Sequence, residues 1–247
     1  MEIPREIIDN LHYSRFHTAT DKLIRDSAER ALGVLGPSAQ KVLISRMYQT
    51  LRLPVSDFMC SYSSLRIALT RILGQGARVI LSDIDKRIIQ ALGSERVLVK
   101  TSLETYLEEI QKQELLDRIG DLGNRHMVHF SNSCEKKNEV LSAFFNDGSV
   151  PVQMLQFRPL GSSIESHVSA ISEGRPERIV GDATGFEGRI PRDLLQVDER
   201  MGKSHIRYPT ICIYSSSVCD TSDLGNIISS HSEVIFDSPY TIYSSLT

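Results

Sequence analysis

Residues 125–148 read RHMVHFSNSCEKKNEVLSAFFNDG. The apolar run Met127 to Phe130 predicts a short strand, and Ser131, Asn132 and Ser133 supply a polar turn with helix-cap candidates. Val140, Leu141, Phe144 and Phe145 then fall at helical spacing, and Gly148 stops the helix. A second apolar run, Val152 to Phe157, follows at once, so the segment closes as β-α-β, which in one sheet requires parallel strands and a right-handed crossover. Open α/β sheets hold ligands at the carboxyl ends of their strands, which makes Ser131 to Cys134 a candidate site. The turn has neither a glycine pair nor a Gly-Lys-Ser/Thr element, so it is not built to cradle a phosphate.

The alternation continues toward the C-terminus. A helix is expected around Ile164, Val168 and Ile171, then a strand over Arg178 to Asp182 running into a turn with Gly181, Gly185 and Gly188. Leu194, Leu195 and Val197 suggest a short helix, and the β-branched and aromatic run Thr210 to Tyr214 predicts a buried strand. Thr221 to Ser230 reads as helix, and Glu233 to Phe236 with Tyr240 to Tyr243 read as closing strands around Asp237-Ser238-Pro239. Repeated β-α alternation predicts a three-layer α/β arrangement for this half.

The N-terminal half is patterned differently. From Pro4 to about Leu53 the apolar residues keep helical spacing: Ile7, Ile8 and Leu11, then Leu23, Ile24, Ala28 and Leu32, then Val42, Leu43, Met47 and Leu51. Breaks fall near Phe16 to Thr20 and at Gly33 to Gly36, Pro37 suits the first position of the next helix, and Leu53-Pro54 ends it. Ser61 or Ser63 caps a helix with Leu65, Ala68, Leu69 and Ile72 that stops at Gly74. An amphipathic helix with Val79, Ile80, Ile84, Ile88 and Leu92 follows. Gly74 and Gly76 read as residues that let helices approach closely or the backbone take positive φ, in preference to a glycine-lined anion site. Residues 94–123 read as a connector whose helix, capped by Thr101 or Ser102, carries Leu103, Leu107 and Ile110 and ends by Gly120, Gly123 and Asn124.

At 247 residues, 40% apolar and 24% charged, the chain has room for two ordinary domains, each with a real core. A net charge of −3 speaks against a chain that binds nucleic acid throughout. A local basic edge does exist at Arg66, Arg71, Arg78, Lys86 and Arg87, where a DNA contact competes with a solvated helix face that Asp83 and Asp85 partly neutralise. The solvated face is favoured, because no recognition-helix pattern accompanies the charges. Cys60, Cys134, Cys212 and Cys219 show no C-x-x-C pairing, the N-terminus lacks signal-peptide design, and no apolar run reaches the roughly 18 residues of a membrane helix. Reduced thiols in a cytoplasmic protein are therefore expected.

Two resemblances bear on function. Leu35-Gly36, Tyr48, Gly74-Gln75-Gly76-Ala77 and Ile80 carry a pattern similar to the Nitrosopumilus-type output domain over about residues 27–93. The family usually has Phe where Leu73 stands and an acidic residue where Leu81 stands. In the second half, His126-Met-Val-His-Phe130, the Phe144-Phe145-x-x-Gly148 helix end, Cys212-Ile-Tyr214, and His231-Ser-Glu-Val-Ile235 with Tyr240 and Tyr243 resemble the MEDS sensory domain of methanogens, methylotrophs and the dichloromethane regulator. The family often has Tyr where Ser131 stands, and residues 149–209 are short and glycine-interrupted beside its middle. These resemblances imply an archaeal signalling protein with an all-α output domain and a RecA-like α/β sensory domain that lacks ATPase motifs.

His126 and His129 invite a metal reading, but on a strand residues three apart point to opposite faces, so their spacing argues against a shared ion. Cys134 is a nucleophile or redox candidate, with a small apolar role favoured. Asp182 has no phosphate loop to serve and reads as a turn cap. His231 and Tyr214 suit core or ligand roles equally. The expectation is then a helical output domain over 1–93, a connector over 94–123 and an α/β sensory domain over 124–247. Its ligand-binding candidates are His126, His129, Ser131, Cys134, Tyr214 and His231, with no catalytic residue, metal or cofactor assigned. The expected partners are a small molecule and a protein bound through the helical domain, with DNA disfavoured and no membrane. The rival readings are a divergent nucleotide-binding or thiol-dependent enzyme, or a DNA-binding transcriptional regulator using the basic helices over 66–87.

Overall fold

The computed structural model describes residues 13–93, 102–121, 125–131, 133–145, 152–156, 178–184, 209–215, 221–237 and 240–246. The expected helices around Ile164 and Leu194, the apolar positions Ile7 to Leu11, the glycines of the 185–188 turn and Cys219 lie outside these residues. The chain is mixed helix and sheet, and it divides into two compact units: residues 17–114, and residues 1–16 with 115–247.

The first unit is helical: α1 (Ala19–Gly33), α2 (Pro37–Leu51), the single turn α3 (Val55–Phe58), α4 (Tyr62–Leu73), α5 (Ala77–Leu92) and the start of α6 (Leu103–Gly120). Local chemistry sets the boundaries. Thr18 and Asp21 form a reciprocal capping box on α1, Pro37 opens α2, and Ser61 Oγ accepts the Ser64 amide to cap α4. Ser102 Oγ accepts the Thr105 amide at the head of α6. Gly74 takes φ +55°, and a Cβ built there meets nothing within 4 Å, so it serves the turn between α4 and α5 and not a close helix approach. The core gathers Ile24, Leu32, Met47, Phe58, Leu65, Leu69, Ile84 and Ile88, with Leu107 from α6. Val79 and Val42, counted on the apolar faces by spacing, are exposed instead. At the edge of this core Gln111 donates to Asp21 Oδ1 at 2.8 Å and to the Cys60 carbonyl at 3.3 Å.

The second unit is built on a sheet that, among the described residues, has seven strands in the order β1-β7-β6-β2-β5-β4-β3. The strands are β1 (Tyr13–Arg15), β2 (His126–Phe130), β3 (Val152–Gln156), β4 (Arg178–Asp182), β5 (Thr210–Tyr214), β6 (Glu233–Asp237) and β7 (Tyr240–Ser245). Strands β6, β2, β5, β4 and β3 are mutually parallel, while β7 pairs antiparallel with β6, and β1 with β7. The β6-β7 pair matches the closing hairpin read from the sequence. Helix α7 (Cys134–Phe145) follows β2, and α8 (Thr221–Ser229) precedes β6.

Strand parity sorts the side chains. Val128, Phe130, Cys212, Tyr214 and Val234 meet Leu224, Ile227 and Ile228 of α8. Met127, Val180, Ile211, Ile213 and Ile235 meet Val140, Leu141 and Phe144 of α7, with Leu115 and Ile119 of α6. Helices thus cover both faces of the central strands, which is why these strands read as continuous apolar runs.

Two boundaries differ from the sequence expectation. Tyr13 to Arg15, expected among helices, forms an edge strand, because its register is supplied by β7 more than two hundred residues later. The helical unit therefore interrupts the α/β unit in sequence. The unit boundary near residue 114, rather than 93 or 124, reflects α6, one unbroken helix whose Leu107 belongs to the first core and whose Leu115 and Ile119 belong to the second.

Candidate functional site

Parallel pairing of β2 with β5 sets Val128 opposite Cys212 and His126 opposite Thr210, so His126 and Cys212 share the face that α8 covers. The last carbonyls of a helix have acceptor capacity left over, and here side chains use it. His126 Nδ1 lies 3.2 Å from the Ser230 carbonyl, His231 Nδ1 lies 2.6 Å from the Ile227 carbonyl, and the Tyr13 hydroxyl donates to the Ile228 carbonyl at 2.7 Å. A carbonyl only accepts, so the imidazole Nδ1 is the donor in both histidine contacts. His126 Nε2 stands 3.6 Å from Cys212 Sγ, and the His126 and His231 ring centroids are 4.0 Å apart. One ligand atom from each of His126, Cys212 and His231 falls within 4.8 Å of the others. Cys212 and His231 are buried, and His126 is half-buried. The arrangement can hold a metal ion or accept hydrogen bonds from a small polar molecule.

A second polar cluster occupies the carboxyl end of the strands. Ser131 donates its amide to the Tyr214 carbonyl at 2.9 Å and its hydroxyl to the Ser133 carbonyl at 3.0 Å, fixing the turn into α7. From the first turns of α7, Lys137 Nζ reaches Asp182 Oδ2 at 3.2 Å and Thr184 Oγ1 at 3.4 Å. Thr184 donates its hydroxyl and its amide to Asp182 Oδ1 at 2.6 and 3.0 Å. Burial pushes the Asp182 carboxyl up, but the two Thr184 bonds and Lys137 outweigh it and hold the group below the usual carboxylate range. Asp182 is thus the turn cap its sequence context predicts, with an ion pair to Lys137 that spacing did not reveal.

The six candidates from sequence do not form one site. His126 and His231 come together at the amino ends of the strands, joined by Cys212. Ser131 and Cys134 lie at the other end, about 16 Å along an extended strand from His126. Tyr214 is buried beside Phe130, their ring centroids 6.2 Å apart. His129 is fully buried and, by parity, on the opposite face from His126, as its spacing predicts. Cys134 is exposed at the start of α7. The members missed were Cys212, Lys137 and Thr184, although Cys212 carried a signal in the Cys-x-Tyr pattern.

On the helical unit, Arg66 pairs with Glu104 at 3.0 Å and Arg87 with Asp83 at 2.9 Å, so two of the five basic residues proposed for a DNA face are engaged within the fold. No helix among the described residues is long and apolar enough to cross a membrane. No protein-family model matches the chain, and no curated protein matches it.

Proposed function

We propose that this chain is a non-enzymatic signal-transduction protein of the cytoplasm. In this reading the α/β unit is a three-layer, RecA-like sensory domain of the MEDS kind that takes up a small molecule, and the helical unit is an output module that engages a protein partner. The observation that carries it is α6: one helix contributes Leu107 to the helical core and Leu115 and Ile119 to the α/β core. A ligand that prefers one packing of the α/β core would bias that helix and, through it, the helical core.

Two further features support the reading. Asp182, at the position where an ATPase would present an acid to magnesium, is occupied by Thr184 and Lys137, and the turn after β2 lacks a phosphate-binding loop. Among the described residues Cys60, Cys134 and Cys212 form no disulfide, which suits a reducing compartment.

The test begins with native mass spectrometry of the freshly purified chain, then a thermal-shift screen of small organic molecules and nucleotides. A bound or stabilising organic compound should change amide hydrogen exchange within residues 17–114. Stabilisation by ATP with Mg²⁺ would favour the nucleotide-enzyme reading, and ligand binding with no response in the helical unit would remove the relay.

A further inference from the structure

We infer that His126, Cys212 and His231 form a transition-metal site, of the class that binds Zn²⁺, at the amino ends of β2, β5 and β6. This inference stands apart from the sensory reading and can hold or fail without it.

The donor set is the first argument. A thiolate with two imidazoles selects borderline-soft ions such as Zn²⁺ over Mg²⁺ or Ca²⁺, which take oxygen ligands. Geometry is the second. Zinc bonds of about 2.3 Å to sulfur and about 2.0 Å to nitrogen, at tetrahedral angles, place sulfur and nitrogen about 3.5 Å apart. His126 Nε2 and Cys212 Sγ stand at 3.6 Å, and all three ligand atoms lie within 4.8 Å of one another. The shell around the three donors fits a metal as well. Ligating imidazoles usually donate their other N–H to a carbonyl or carboxylate, which fixes tautomer and ring orientation. Both histidines do this, His126 to Ser230 and His231 to Ile227.

The three ligands sit on strands or on the short turn that enters β6, so the core holds their backbones in place. Among the described residues three side chains contribute, which leaves a fourth tetrahedral position for water or for a small donor molecule. The half-buried ring of His126 marks the side from which an ion would enter.

A bland account exists for each histidine alone, since both also cap α8, and the experiment must separate capping from ligation. Cys212→Ser removes the thiolate and leaves both helix-capping bonds. The full-length chain is stripped with chelator, reloaded with Zn²⁺ or Co²⁺, desalted and measured by elemental analysis and absorption spectroscopy. Wild type and Cys134→Ser should each hold one ion per chain and show a thiolate-to-cobalt charge-transfer band with tetrahedral d–d absorption. Cys212→Ser should lose that band and bind Zn²⁺ about 100-fold or more weakly, while its metal-free circular dichroism matches wild type. Substoichiometric zinc in the wild type, or a charge-transfer band that survives Cys212→Ser, overturns the site. Should Cys212→Ser fail to fold, X-ray absorption of the zinc-loaded wild type decides: one sulfur and two imidazoles support the site, and a shell without sulfur sinks it.

Discussion

The hydroxyl of Tyr13 donates to the carbonyl oxygen of Ile228 at 2.7 Å, and also to that of His231, across more than two hundred residues of sequence. An edge strand is thereby bonded to the end of α8, and a phenol is placed where it cannot ionise easily. Burial pushes its pKa up, with the nearby Glu233 carboxylate adding to the shift, to about 12.

Tyr13→Phe should lower stability at neutral pH by about 1 kcal/mol, measured by urea unfolding. Because the folded pKa is raised, the neutral phenol's contribution is complete below the unfolded value of about 10 and is lost as pH rises through about 12. The wild type should therefore lose more stability than Tyr13→Phe across that alkaline window, and ultraviolet titration should show the tyrosinate appearing late.

Asp182 gives the opposite sign. Its folded pKa is depressed, so its contribution is complete above the unfolded carboxylate value of about 3.9 and disappears as pH falls through the lower folded value. Asp182→Asn should cost about 1.5–3 kcal/mol at pH 7, as expected for bonds to a charged acceptor, and should flatten the acid limb of the stability profile. Equal acid limbs in variant and wild type would contradict the network with Thr184 and Lys137.

Glu233 is fully buried among cationic and polar partners: Arg118 and Arg125 both pair with it, and Ser244 donates to Oε2 at 2.7 Å. Glu233→Ala leaves two guanidinium groups without their carboxylate and should destabilise the sheet by about 3 kcal/mol, the lower end for a broken buried pair because both arginines are partly exposed. Glu233→Gln keeps an acceptor for Ser244 and should cost less. The comparison is a pair of denaturation midpoints.

In the helical unit Tyr62 donates its hydroxyl to Asp85 Oδ1 at 2.5 Å. Burial raises the Asp85 pKa and the Tyr62 bond only partly offsets this, so the carboxylate weakens the fold as pH rises from the unfolded value through the folded one. Tyr62→Phe should raise the Asp85 pKa further and cost about 1 kcal/mol at pH 7, with a smaller loss at acid pH. Carboxyl NMR of Asp85 in both proteins reads the shift directly.

Much of the architecture was legible because its signals are local. Thr210 to Tyr214 is a strand by β-branched and aromatic content, Pro37 and Ser61 announce helix starts, and Leu53-Pro54 announces an end. Tyr13 to Arg15 was not legible, since three residues have no periodicity and only β7 gives them a register. The same limit hid the His126, Cys212 and His231 cluster. Spacing compared His126 with its neighbour His129 and rightly set them on opposite faces, but it cannot say that β2 lies between β5 and β6. Strand order is a property of the whole sheet, and with it comes every contact between distant strands.

Sheet order also sets a timetable on the ribosome. Residues 17–114 are synthesised before β2, so the helical unit can fold early from local contacts. Strand β1, made earlier still, pairs among the described residues with residues 243–245. At bacterial or eukaryotic synthesis rates that interval is on the order of tens of seconds, during which Tyr13 to Arg15 carries open backbone donors and acceptors. The sheet is therefore sealed at its edge by an early strand and a late one, and a nascent chain that stalls before β7 leaves Tyr13 to Arg15 without the strand that gives them their register.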